Sequence, residues 1–319
     1  MPFSAIAGHE RIIGILRRTL AAKRTAHAYL FDGPEGCGKR TTALALVEAV
    51  FCNGTDGCGN CPSCRKVAAL QHPDLHLLEP DGAFIKIDQV RALQRELSLR
   101  PFEAPCKVCI IDDADRFHQA AGNALLKTLE EPPGNALLIL LSANPDGVLQ
   151  TIRSRCQAVH FTALAEETVA TTLVARGIET ETARLAASLA AGSLGKALEL
   201  CSVEALGGRS EQIEQLFSLS LQEIGPLFAF SEQLSADKEE VQTLLDLLTA
   251  FLRDVLIVQA GSDHVINLDL LELTRREAAR QPTTKVMASI GHVAAARQAL
   301  QRNVNTRLAL DTLLMRLVA

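Results

Sequence analysis

The sequence predicts an α/β half built on a mostly parallel, doubly wound sheet, followed by an all-helical half. Three observations carry that expectation. Short apolar runs alternate with helix-period segments from the N-terminus to about residue 162. Beyond Phe161 the strand-type runs stop. The chain has 319 residues, 48% hydrophobic and 22% charged, which is enough for more than one core and too apolar for a disordered or fibrous chain.

Ile12, Ile13, Leu16 and Leu20 fall on one face of an opening helix. Ala28 to Asp32 has the length and composition of a buried strand, and the glycine-rich segment after it leads into a helix from about Lys39 to Phe51. Leu75 to Leu78 is a second strand. Val90, Leu93 and Leu97 make one stripe of a helix that stops before Pro101, whose ring cannot continue it. Lys107 to Ile111 is a buried strand, and Gln119 to Glu131 is a helix ended by Pro132-Pro133. Ala136 to Ser142 and Ala158 to Phe161 complete the strands. Glu167 to Arg176 and Leu194 to Leu200 are short helices rich in Ala and Leu, whereas Val241 to Val258, Ala288 to Arg302 and Thr306 to Val318 are longer and amphipathic. Gly207-Gly208 is the expected hinge before the last unit. The expected domains are 1–162, a small helical lid over 163–207, and a helical domain over 208–319.

Lys plus Arg (32) against Asp plus Glu (37) gives a net charge of −5. Bulk charge therefore does not draw this chain to nucleic acid, and any such contact needs a local basic patch. With no Trp, one Tyr and eleven Phe, a base-stacking platform is not expected. No apolar run approaches the roughly 18 residues that span a bilayer. Met1-Pro2-Phe3-Ser4 opens without the apolar core of a signal peptide. The reading is a cytoplasmic protein with no membrane partner. In that compartment nine cysteines are metal ligands or buried small hydrophobes rather than disulfides.

Gly33-Pro34-Glu35-Gly36-Cys37-Gly38-Lys39 sits between a strand and a helix, the setting of a phosphate-binding loop. There Gly33, Gly36 and Gly38 allow the backbone amides to surround phosphate oxygens, and Lys39 supplies a point charge. The pattern breaks at the next position, where a Ser or Thr should hold Mg²⁺ and the chain has Arg40. Thr41 comes one residue late, about 100° around the helix. The segment is a nucleotide site or its remnant, which leaves ATP with Mg²⁺ open at this point. The bland alternative is a glycine-rich turn that binds nothing.

Val108-Cys109-Ile110-Ile111-Asp112-Asp113 is an apolar strand ending in paired carboxylates, the form of a Walker B element. Asp112 can order Mg²⁺ through water. Asp113 stands where an active ATPase usually has Glu, and its shorter side chain is unfavourable where catalysis rests on positioning. Either carboxylate alone reads as a solvated strand end. Cys52, Cys58, Cys61 and Cys64 place four thiols within thirteen residues, with Gly57 and Gly59 in the turns. Four thiolates make a closed tetrahedral site, the arrangement of structural zinc, at one ion per chain. Cys106 and Cys109 repeat the spacing across a strand start, where side chains alternate faces, and read as core.

Several segments together, in this order along the chain, resemble the bacterial clamp-loader ATPase family of the AAA+ class. They are Ala26-His27-Ala28-Tyr29-Leu30-Phe31, the glycine-rich loop, the four cysteines, the stretch Asn123 to Pro133 (NALLKTLEEPP) and Ser154-Arg155-Cys156. That family comprises the gamma/tau and delta prime subunits of DNA polymerase III. The motif-bearing likeness covers residues 1 to about 200, and the helical remainder fits the family's collar domain without a motif of its own. It implies an AAA+ P-loop domain with a five-stranded parallel sheet, a helical lid and an all-α collar.

Three departures resemble the delta prime branch: Arg40, Asp113 and Gly195. The last lies in Gly192 to Leu198 (GSLGKAL), where the ATPase subunit places a sensor Arg, and Lys196 beside it is a weak substitute. Ser142 or Asn144 takes the place of the first polar sensor. By resemblance the protein is a stator in a hetero-pentameric ring with delta and gamma/tau, loading the sliding clamp on primed DNA within the bacterial replisome at the nucleoid. Arg155 is then an arginine finger offered to a neighbour's ATP site. Two rivals stand beside this reading. One is an ATP-hydrolysing gamma/tau-type subunit. The other is a zinc-bearing nucleic-acid-binding module, which the acidic balance and the lack of aromatics disfavour.

Overall fold

The computed structural model describes residues 2–318 except 53–55, 202, 263 and 303. Among the described residues five strands pair, all in parallel: β1 (Ala28–Asp32), β2 (Leu75–Leu78), β3 (Val108–Ile111), β4 (Leu137–Ser142) and β5 (Gln157–His160). Their order is β2-β3-β4-β1-β5. Leu30 at the middle of β1 faces Leu140 on one side and Ala158 on the other. Strands β1, β3 and β4 are buried throughout, as continuous apolar runs are when helices cover both faces.

Helices α1 (Glu10–Ala21), α2 (Lys39–Phe51), α3 (Pro62–Ala68), α4 (Ile87–Ser98), α5 (Gln119–Glu130), α6 (Gln150–Arg153) and α7 (Glu166–Ala175) follow in chain order. Side chains alternate across the pleat. Tyr29, Phe31, Val108 and Ile139 therefore pack with Phe3, Leu16 of α1 and Leu46 of α2. Leu30, Ile111 and Leu138 pack on the opposite face with Val90 of α4 and Leu125 of α5. Cys106 and Cys109 separate onto these two faces, so their spacing is that of core residues. Parallel strands bring all their C-terminal ends to one edge, and there Asp32, Leu78, Ile111 and Ser142 hand the chain to its loops.

The remaining helices are α8 (Thr180–Leu189), α9 (Leu194–Leu200), α10 (Val203–Ser218), α11 (Ile224–Ser235), α12 (Lys238–Gln259), α13 (Leu271–Arg280), α14 (Thr283–Gln301) and α15 (Thr306–Val318). Leu244, Leu248 and Phe251 of α12 centre an apolar core with Leu227 of α11, Val293 of α14 and Leu314 of α15. A buried polar knot sits beside it. Asp254 accepts the backbone N–H groups of Ile266 and Asn267, and Arg209 of α10 donates to the side chains of Asn267 and Asp269.

The boundaries differ from the expected ones. Helix α10 runs through Gly207-Gly208, so no hinge lies there. The chain divides into two compact units, Met1–Arg176 with Ala191–Lys196, and Gly177–Ala190 with Ala197–Ala319. The segment 163–207 is divided between these two units. Within the first unit the Leu164 N–H donates to the Gly192 carbonyl at 3.0 Å, which holds the 191–196 segment. Within the second, Ser188 of α8 donates to the Ile266 carbonyl at 3.2 Å.

Candidate nucleotide edge, cysteine centre and arginine finger

The glycine-rich loop follows β1 at the C-terminal edge of the sheet and delivers Lys39 as the first residue of α2. Gly33 has φ +143, and a Cβ there would meet the Phe161 carbonyl oxygen at 2.3 Å, so only glycine fits. Gly38, with φ +105, is the residue before the helix. Lys39 Nζ turns back into the loop and donates to the carbonyls of Gly33 (2.6 Å) and Pro34 (2.7 Å). Across the loop the Gly195 N–H donates to the Gly36 carbonyl at 3.3 Å. A Cβ built on Gly195 would lie 3.6 Å from Gly36 Cα, so the sensor position does aim at the loop, but glycine sends nothing into it. Ser193 Oγ accepts the Lys196 N–H at 3.2 Å.

Arg40 is not idle. Its Nη1 donates to Glu79 Oε1 at 2.6 Å and to Asp112 Oδ2 at 3.0 Å. Thr41 is half-buried one position further along α2. Asp112 Oδ1 accepts the Asp113 N–H at 3.1 Å, and Asp113 itself adopts a left-handed backbone with φ 48. Burial pushes the Asp113 carboxyl above its ordinary value, Arg116 opposes this, and the neighbouring acids Asp112, Asp115 and Glu35 add to the rise. Ser142 donates its hydroxyl to Asp115 at 2.6 Å and accepts the Asn144 N–H at 3.0 Å. The predicted nucleotide residues are thus gathered at one edge, but Lys39, Arg40, Asp112 and Ser142 are bonded to the protein itself. With a guanidinium between its carboxylates, this donor set does not fit Mg²⁺. Glu79 and Asp115 join this edge from outside the residues that the sequence motifs mark. The available signal was an acid immediately after an apolar strand (Glu79) or after the Walker B pair (Asp115).

Cys52, Cys58, Cys61 and Cys64 come together with all four Sγ atoms within 4.8 Å of one another. Cys52 ends α2, Cys61 caps α3 ahead of Pro62, and Cys64 lies in the first turn of α3. Backbone N–H groups point at the sulfurs: Cys61 N to Cys58 Sγ at 3.3 Å and Cys64 N to Cys61 Sγ at 3.4 Å. Two Sγ pairs, Cys58–Cys64 and Cys52–Cys61, are each 4.0 Å apart. A tetrahedral ion with Zn–S bonds of about 2.3 Å places its sulfurs about 3.8 Å apart, so the donor set fits a metal such as zinc. The Asn60 and Cys61 N–H groups lower the exposed Cys58 thiol to about 6, whereas burial raises Cys64 to about 12. A bound cation favours the thiolate at every ligand position.

Arg155 follows α6 and folds back on the end of α5. Nε and Nη2 donate to Glu130 Oε1 at 2.9 and 2.5 Å, and Nη1 donates to the Thr151 carbonyl at 3.0 Å. Its side chain stays about a third exposed. Arg153 instead donates to Asp146 at 3.2 Å. Burial pushes the adjacent Cys156 thiol up to about 12. Glu130 as the partner of Arg155 is a further residue that the sequence did not single out.

Two domain families match this chain. One described as "DNA polymerase III, delta subunit" matches residues 8–165, and one described as "DNA polymerase III, delta subunit, C terminal" matches residues 204–318. The DNA polymerase III subunit delta' of Bacillus subtilis (strain 168) is 32% identical over 314 residues, 96% of this chain and 95% of that one. The corresponding subunit of Escherichia coli (strain K12) is 31% identical, over 93% of this chain and 90% of that one. The Bacillus subtilis subunit tau is 34% identical over 171 residues, which are 52% of this chain and 30% of tau. Among solved structures, a DNA polymerase III gamma subunit-related protein from Thermotoga maritima superposes with a TM-score of 0.55 at 21% identity over 96% of this chain, a likeness of fold. With 32% identity to a subunit delta' over 96% of this chain and family matches in both halves, the chain belongs to the delta prime family of DNA polymerase III clamp-loader subunits.

Proposed function

We propose that this chain is the stator of its clamp loader: a member that holds delta and gamma/tau in a hetero-pentameric ring and does not turn over ATP itself. The observation that carries this reading is Arg40 between Glu79 and Asp112, at 2.6 and 3.0 Å, where a hydrolysing site needs Mg²⁺. Gly195 in place of a sensor arginine, and Asp113 where an active ATPase has Glu, support the same reading. The ATP-hydrolysing gamma/tau-type alternative requires a Mg²⁺-binding hydroxyl where Arg40 stands and a sensor arginine where Gly195 stands.

In this reading the helices of the second unit serve as the collar, and the ring places the sliding clamp on primed DNA in the cytoplasm, at the replisome. Among the described residues no helix is long and apolar enough to cross a membrane. One zinc per chain occupies the four cysteines as a structural ion. Arg155 is the chain's direct contribution to ATP chemistry, presented in trans to a neighbour's γ-phosphate, where a planar multi-donor group stabilises developing charge.

The test is co-purification with delta and gamma/tau, with ATP turnover measured before and after mixing. The isolated chain should give no turnover above background, and mixing should give a stable complex. Turnover by the isolated chain that Lys39→Ala abolishes would sink the stator reading.

A further inference from the structure

Arg40 does more than remove a metal ligand. Its Nη1 lies within 3.0 Å of carboxylate oxygens that leave the ends of two adjacent strands, Glu79 after β2 and Asp112 after β3. We propose that Arg40 is this chain's resident cation: its guanidinium stands between Glu79 and Asp112 in the place of a divalent ion, and so excludes divalent metal from the edge.

Two carboxylates side by side favour a shared positive partner. A metal supplies that charge only while bound, whereas a guanidinium stays protonated and is supplied by the chain. Arg40 also sits in the first turn of α2, where the helix dipole disfavours a cation. The acids, rather than the helix, therefore account for its position. The neighbouring acceptors are used as well. Asp112 Oδ1 takes the Asp113 N–H, and Asp115 takes the Ser142 hydroxyl. An ion such as Mg²⁺ needs oxygens at about 2.0–2.1 Å in near-octahedral array. It would have to displace the guanidinium from both acids to collect them. An ordinary exposed ion pair would instead yield when metal is supplied, and the two cases are separable by measurement.

The probe is Mn²⁺ alone, titrated into the full-length, zinc-loaded chain and followed by the electron paramagnetic resonance signal of the free ion. Wild type should show no saturable site. Arg40→Thr, which removes the cation and offers a hydroxyl, should gain one site, tighter than any wild-type binding by about tenfold or more. Adding Asp112→Asn to that variant should abolish the site again. Arg40→Lys, which keeps a positive charge, should stay closed. Zinc content and the melting transition report whether each variant is folded, and the half-exposed Arg40 side chain makes its replacement tolerable. Equal Mn²⁺ binding by wild type and Arg40→Thr overturns the proposal. So does a folded Arg40→Thr that gains no site, or an Arg40→Lys that opens like Arg40→Thr. The exclusion of metal shares the Arg40 contacts with the stator reading, and the readouts separate the two: Mn²⁺ binding is read without ring or ATP, whereas the stator reading fails on ATP turnover by the chain.

Discussion

At the scale of single residues, Arg155 and Asp74 carry the sharpest expectations. Arg155 is parked on Glu130, an exposed pair of the kind worth about 0–1 kcal/mol, so a γ-phosphate can compete for it. Trans-acting arginines contribute on the order of 10³–10⁵ in rate at GTPase sites. On the proposed finger role, Arg155→Ala should assemble normally while the complex loses most of the turnover at a neighbouring ATP site. Arg153→Ala, which breaks only a contact to Asp146, should do less. Comparing DNA-stimulated ATPase of the two complexes decides it.

Asp74 is fully buried and accepts the N–H groups of Phe102, Glu103 and Ala104 at 2.7–2.9 Å, fixing the loop that displays Phe102. Burial alone would raise its carboxyl, but the three donors outweigh it and hold the group below its ordinary value. A carboxyl depressed on folding stabilises above its unfolded pKa, near 3.9, and that stability is lost as pH falls through the folded value. Asp74→Asn should cost roughly 2 kcal/mol at neutral pH. Its melting difference from wild type should shrink only below about pH 4, and an equal difference at every pH would contradict this account.

At the scale of elements, the cysteine turns form a short clasp between α2 and α3. Arg17 of α1 donates to Asp56 at 2.5 and 2.6 Å on one side, and Lys66 of α3 donates to Glu103 at 2.7 and 2.8 Å on the other. Metal binding there contributes folding free energy. Elemental analysis should give one zinc per chain, and Cys61→Ser should lose it and destabilise the clasp locally. Faster amide exchange confined to residues around 56–69 is the expected signature, and protein purified without chelator yet free of metal would refute the assignment. The cysteine spacing was legible because all four ligands lie within thirteen residues. The seven-residue α3 was not, since two turns threaded with ligands show no clear helical period. Glu79 was hidden for a different reason. Its partner Arg40 is 39 residues away on α2, and the parallel pairing of β2 with β3 is what sets Glu79 beside Asp112, the other acid that Arg40 meets.

At the scale of the whole molecule, β1, β3 and β4 are legible as continuous apolar runs, which is what a sheet covered on both faces requires, whereas the mostly exposed β5 carries Gln157 and His160 at its ends. The unit boundaries are not legible. Gly207-Gly208 looked like a break, but helix α10 accommodates both glycines. The division instead depends on long-range contacts such as Ser188 with Ile266 and Leu164 with Gly192, which no local pattern announces. In the proposed ring this chain is silent toward ATP. The most direct measurement is ATP-driven clamp loading by a reconstituted complex in which this chain alone carries Lys39→Ala. With Arg40 in the Mg²⁺ position and glycine at the sensor position, Lys39 has no hydrolysis to support, so loading at the wild-type rate is the predicted result. A complex that assembles fully but loses loading would contradict the account.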